Sequence, residues 1–184
     1  RRRIAVILKG TAHLFWAAVH AGALAAGKKH NVEILWNGPA TETEYDRQIQ
    51  ILDSMVTQRV DGICLAASER TALVGPVDRA VAAGIPVTVF DSGLDSTNYL
   101  SFVATDNTLA GRLGARTLAG LLGGKGKVAV VLHAPGSVST MDREAGFRAT
   151  MAKEFPGITI VAEQFGMSDR AKARAAAENI LAAN

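Results

Sequence analysis

Residues 4–16 read Ile4-Ala5-Val6-Ile7-Leu8-Lys9-Gly10-Thr11-Ala12-His13-Leu14-Phe15-Trp16. An unbroken apolar run, a Lys-Gly break and an amphipathic continuation over 15–29 make a strand covered on both faces, a turn and a helix. Working outward, the same unit repeats. Strands are expected at 32–36, 62–66, 86–90, 101–104, 127–132 and 158–163, and helices at 44–58, 72–83, 107–122, 141–155 and 169–183. Strand and helix in strict alternation predict parallel βαβ units, and so an α/β fold. The second helix carries Tyr45, Ile49, Leu52 and Val56 at helical spacing, with Thr41 and Glu44 placed as a capping box.

Punctuation falls between the units, at Asn37-Gly38-Pro39, Gly84-Ile85-Pro86 and Gly123-Gly124-Lys125-Gly126. Only 91–100 joins two expected strands without a helix. The expected division is therefore into a first lobe over 1–104 and a second over 105–184, where the strand-helix order starts again at Thr105-Asp106-Asn107.

The 184 residues are 48% hydrophobic and 5% aromatic, the profile of a globular chain with enough length to bury a core. Lys and Arg number 20 against 17 Asp and Glu, but Arg1, Arg2 and Arg3 supply the whole excess. No basic stripe remains to suggest a nucleic-acid partner. Cys64 stands alone, which excludes an internal disulfide and a cysteine-based zinc site. The run at 4–8 is too short for a secretory core, and no stretch approaches the roughly 18 apolar residues of a membrane helix.

In open α/β sheets, ligands bind outside the carboxyl ends of the strands. Polar groups collect there after the first strand (Lys9 to Trp16), after the fourth (Asp91-Ser92-Gly93) and after the sixth (His133 to Thr140, then Asp142-Arg143). The set suits a polyhydroxylated small molecule. An aromatic face covers the C–H face of a sugar, a carboxylate accepts from hydroxyls, and a guanidinium fork donates to oxygens. Plainer roles stand beside these. Adjacent helical residues point about 100° apart, so Phe15 and Trp16 cannot both face one ligand squarely, and a core position for one of them is the plainer reading. Asp91 alone reads as a loop or cap carboxylate, Arg143 alone as a surface residue, and Lys9 as a side chain snorkelling at a rim.

Sharper motifs fail on their context. Gly124-Lys125-Gly126-Lys127 precedes a strand and lacks the Ser or Thr of a phosphate loop, so it reads as a tight turn. No G-x-G-x-x-G opens the first helix and no G-x-S-x-G elbow occurs, which argues against a dinucleotide cofactor and a hydrolase. His13, His20, His30 and His133 lack metal-ligand spacing. Glu42, Glu44 and Asp46 read as solvated charge in the first turn of a helix.

At these residues the chain resembles the periplasmic sugar-binding proteins of ABC importers, the ribose-binding-like branch of type I solute-binding proteins. It also resembles the effector domains of lac-repressor-type regulators. The marks are Phe15-Trp16 with Ala21-Gly22-Ala23, Gln48-Ile49, Val60-Asp61-Gly62-Ile63, Ala83-Gly84-Ile85-Pro86-Val87, Asp91, Thr105-Asp106-Asn107 with Ala110-Gly111, and Arg143-Glu144-Ala145-Gly146-Phe147.

The resemblance implies two Rossmann-like parallel-sheet lobes closing on a ligand in the cleft between them. It implies no catalysis and no cofactor or metal, but delivery of a monosaccharide or polyol to a membrane permease. It places ligand contacts at Lys9, His13, Phe15, Trp16, Asp91, Ser92 and Arg143, and makes Asp106 a hinge or cap residue. Lys9 stands where ribose binders carry a small hydroxyl residue and His13 where they carry an amide, two departures that point away from ribose. The resemblance further implies a periplasmic or cell-envelope protein whose export signal lies outside this numbering, monomeric when complete. Only three residues precede the first strand, which favours the binding protein over a regulator with a DNA-reading domain. The family pattern continues past Asn184, so an incomplete second lobe is expected.

Overall fold

A computed structural model describes all 184 residues, Arg1–Asn184. Chain order is β1 (Arg3–Ile7), α1 (Leu14–His30), β2 (Glu33–Asn37), α2 (Tyr45–Thr57), β3 (Gly62–Leu65), α3 (Val74–Ala82), β4 (Val87–Phe90), β5 (Phe102–Val103), α4 (Asn107–Leu121), β6 (Gly126–Leu132), α5 (Val138–Glu154), β7 (Ile158–Phe165) and α6 (Arg170–Ala183). Every expected strand and helix is present. The largest displacement is at α5, which begins three residues before the expected Met141. The chain divides into two compact units, Arg1–Val103 and Ala104–Asn184.

The first unit holds a parallel five-stranded sheet in the order β2-β1-β3-β4-β5. Its pleat sorts side chains by parity. Ala5, Ile7, Ile63, Leu65, Val87 and Val89 form one core with Ile51, Leu52 and Met55 of α2 and Val77 and Ala80 of α3. Ile4, Val6, Cys64, Thr88 and Phe90 line the other side, where they border an apolar groove of about 620 Å³ together with Val19 of α1. The buried face of α2 is Gln48, Ile51, Leu52 and Met55. It is rotated about one residue from the expected stripe, and Ile49 and Val56 only flank the core.

Local chemistry sets the ends of the elements. Helix α3 stops because Gly84, at φ 81°, adopts the left-handed conformation. Its N–H reaches the Val81 carbonyl at 2.9 Å and that of Ile85 reaches Ala80 at 3.0 Å, a paired C-cap that turns the chain into Pro86 and β4. Asp106 caps α4, accepting from the Leu109 N–H at 2.9 Å, as expected of a cap residue. The expected capping box forms differently. Glu44 accepts from both the N–H and the hydroxyl of Thr41, at 2.7 and 2.9 Å, so the threonine donates and does not cap the helix. Gly123, Gly124 and Gly126 all have positive φ, consistent with a tight turn.

In the second unit β6 and β7 pair in parallel beside Ala115, Ala119, Val128, Met151 and Ile158. Helices α4 and α5 cross at van der Waals distance. A Cβ at Gly111 would collide with the Arg143 carbonyl, and one at Gly146 with that of Thr108. Arg116 bonds Glu154 at 2.7 Å across this pair, and Arg148 bonds Glu163 of β7 at 2.7 Å. Covering of both sheet faces holds for β1, β3 and β4 but fails for β5, where Phe102 and Val103 are 46% and 70% exposed, and for β6 and β7, where Val131 and Phe165 are exposed. No helix is long and apolar enough to cross a membrane.

Candidate functional site

The order β2-β1-β3 means that the chain leaves β1 toward one edge and returns to build the other, so loops at the carboxyl ends of β1 and β3 diverge. The divergence is bridged by one side chain. Gln48, fully buried, donates from Nε2 to the carbonyls of Leu8 (3.0 Å) and Ala66 (2.8 Å). Its Oε1 accepts from the N–H (2.9 Å) and hydroxyl (2.8 Å) of Ser68. The ends of two strands are thereby fixed to α2.

Lys9, His13, Phe15 and Trp16 follow from the end of β1. Lys9 is only 2% exposed, which overturns the expectation of a snorkelling rim residue. His13 lies at the N-cap position of α1 without capping it. Trp16 is buried at 2% exposure, with Leu8 and Ala66 and against Phe90, ring centroids 6.4 Å apart at 78°. Phe15 is 54% exposed and meets Trp16 edge-on at 4.9 Å. The division between a core ring and an outer ring is the one that helical geometry requires. His13, Trp16, His20, Trp36, Leu8 and Thr11 line a cavity of about 250 Å³, in which His20 and Trp36 stack at 4.4 Å.

Asp91 and Ser92 follow β4. Asp91 adopts φ 62°, and the Ser92 N–H returns to the Phe90 carbonyl at 2.7 Å, a three-residue turn that directs the chain off the sheet at once. Holding a non-glycine residue there costs about 1–3 kcal/mol, and such strain gathers at ligand sites. Ser92 is fully buried, and its carbonyl accepts from Ala67 at 3.2 Å, tying the ends of β3 and β4. Arg143, in the second unit, donates from Nε to Asn107 Oδ1 at 2.8 Å, which joins α5 to the first turn of α4.

One acidic residue departs from the sequence reading. Glu42 is not solvated helix-terminal charge; it is 8% exposed, accepts from Trp16 Nε1 at 3.2 Å and lies 3.9 Å from His13 Nε2. The reason is that α2 starts only at Tyr45, leaving Glu42 in the β2–α2 loop beneath the β1–α1 loop. Glu44 behaves as expected: its bonds from Thr41 hold the carboxyl below its ordinary pKa at the surface. No cluster of three or more His, Cys, Asp or Glu side chains is placed to hold a metal.

Residues 4–184 match the model of a family described as periplasmic binding protein domain. The D-ribose/D-allose-binding protein of Pseudomonas aeruginosa is 31% identical, the alignment covering 97% of this chain and 58% of that protein. The D-allose-binding periplasmic protein of Escherichia coli is also 31% identical, with 98% and 60% covered. Among solved structures, a carbohydrate transporter solute-binding protein from Agrobacterium radiobacter in complex with D-arabinose superposes with a TM-score of 0.97 at 32% identity, over all of this chain and 64% of the other. The chain thus spans less than two thirds of the length of each of these relatives.

Proposed function

The chain belongs to the periplasmic binding protein family, and from that premise we propose that it is the solute-binding component of an ABC-type sugar importer. It takes up a monosaccharide or polyol in the periplasm or cell envelope, passes it to a membrane permease and makes or breaks no covalent bond. The observation that carries this reading is the position of Lys9, His13, Trp16 and Asp91 beyond the carboxyl ends of β1 and β4, two strands separated in the sheet only by β3. A buried ammonium donates to sugar oxygens, an aromatic ring covers the C–H face, and the Asp91 carboxylate accepts from two adjacent hydroxyls. Ser92 holds the turn that presents Asp91, Phe15 packs edge-on against Trp16 at 4.9 Å, and in the second unit Arg143 offers a guanidinium fork on α5.

The relatives' names put pentoses and hexoses first among candidate ligands. Titration calorimetry against D-ribose, D-allose, D-arabinose and xylitol tests the reading. Saturable one-to-one binding of at least one is expected; absence of heat with all four would overturn it.

A further inference from the structure

Glu42 carries no expected role, yet it is a carboxylate enclosed between two residues proposed to touch sugar. Its Oε1 accepts from the Trp16 indole N–H at 3.2 Å and its Oε2 stands 3.9 Å from His13 Nε2. Its backbone is equally constrained. A Cβ at Gly10 would come within 2.9 Å of the Glu42 nitrogen and 3.0 Å of its Cγ, so the loop after β1 lies directly on the loop after β2. Thr11 N–H to the Pro39 carbonyl at 3.1 Å and Leu8 N–H to that of Asn37 at 3.1 Å lock the same two loops together.

We infer that Glu42 is the positioning residue of the sugar site, fixing the indole plane of Trp16 and the approach of His13 so that the ring is set before the ligand arrives. The physical ground is that an indole has a single donor, and a buried carboxylate is a strong acceptor that selects one ring orientation. Preorganisation of that kind raises affinity by lowering the ordering cost of binding. Gly10 belongs to the same device, since any side chain there would push the Glu42 loop away. The sugar half of this inference rests on the proposed function; the indole half does not.

The test uses the indole resonances of the protein, of which there are two because Trp16 and Trp36 are the only tryptophans. Trp36→Phe leaves one signal, that of the Trp16 Nε1–H. In that background Glu42→Ala is expected to move the resonance upfield through loss of its acceptor, and Glu42→Gln, whose amide oxygen still accepts, to restore it. Affinity for the sugar bound by wild type is expected to fall about tenfold or more in the alanine variant, the scale of one charge-assisted hydrogen bond, and to recover in part with glutamine. Gly10→Ala, which keeps the carboxylate but displaces its loop, is expected to shift the resonance in the same direction. An unmoved resonance in Glu42→Ala overturns the inference, as does a moved resonance with unchanged sugar affinity. If wild type binds no sugar while the resonance moves as expected, the proposed function fails and only the indole assignment survives.

Discussion

Replacing Gln48 by leucine keeps the volume of a fully buried side chain while removing all four of its hydrogen bonds, at 3.0, 2.8, 2.9 and 2.8 Å. Each bond contributes about 1 kcal/mol net, and a buried group left without a partner costs about 1–3 kcal/mol. Greater apolar burial by leucine returns about 1–2 kcal/mol. The expected net loss is about 3 kcal/mol, a large share of the 5–15 kcal/mol typical of a domain. Trp16 and Trp36 both lie in the first unit, so urea unfolding followed by tryptophan fluorescence reports on that unit. With a slope of about 1–3 kcal/mol per molar urea the midpoint should fall by about 1–3 M. Gln48→Glu should be no better, because it turns a carboxylate oxygen toward the carbonyls of Leu8 and Ala66. A loss below about 1 kcal/mol for the leucine variant would refute the view that this amide fastens the ends of β1 and β3.

Three further outcomes follow from single positions. Asp91→Gly and Asp91→Ala lose the same side chain, so their difference reads the backbone at φ 62°; the glycine variant should be the more stable by about 1 kcal/mol, both should lose sugar binding, and equal stabilities would refute the strain. Gly111→Ala drives a methyl into the Arg143 carbonyl, whereas Gly114→Ala on the same helix meets nothing within 4 Å. The first should destabilise the second unit by about 1–3 kcal/mol or more and the second should stabilise it by up to about 1 kcal/mol, as followed by circular dichroism.

Glu163 is held below its reference pKa of 4.5 first by the hydrogen bond from Arg148, against the opposing effect of burial. Its contribution is therefore full above 4.5 and is lost as pH falls through the lower folded value. The stability difference between wild type and Arg148→Met, no more than about 1 kcal/mol for a part-exposed pair, should shrink on that acid limb. A pH-independent difference would contradict it.

The alternation of apolar runs and amphipathic stretches was sufficient to locate every element, because short apolar strands and longer helices with one apolar face leave different signatures. What it missed depends on contacts distant in sequence. Phe102-Val103 reads as a covered strand and is an exposed edge, since its neighbours and not its composition decide its cover. Glu42 sits three positions before a helix, the pattern of solvated charge, and is buried against Trp16 of α1, 26 residues earlier. Gln48 lies between the two expected apolar positions Tyr45 and Ile49, and nothing local reveals carbonyls 40 and 18 residues away. Asp91 was legible by its place after a strand, but not its left-handed backbone, which aspartate adopts without a glycine to mark it.

The site assignment is tested most directly by mapping backbone and side-chain 15N resonances as D-allose, or whichever sugar of the panel binds most tightly, is added. Shifts should concentrate at residues 9–16, at Asp91 and Ser92, at the Trp16 indole and at Arg143 Nε. Shifts confined instead to Ile4, Val19, Cys64 and Thr88, along the apolar groove of the first unit, would contradict the account.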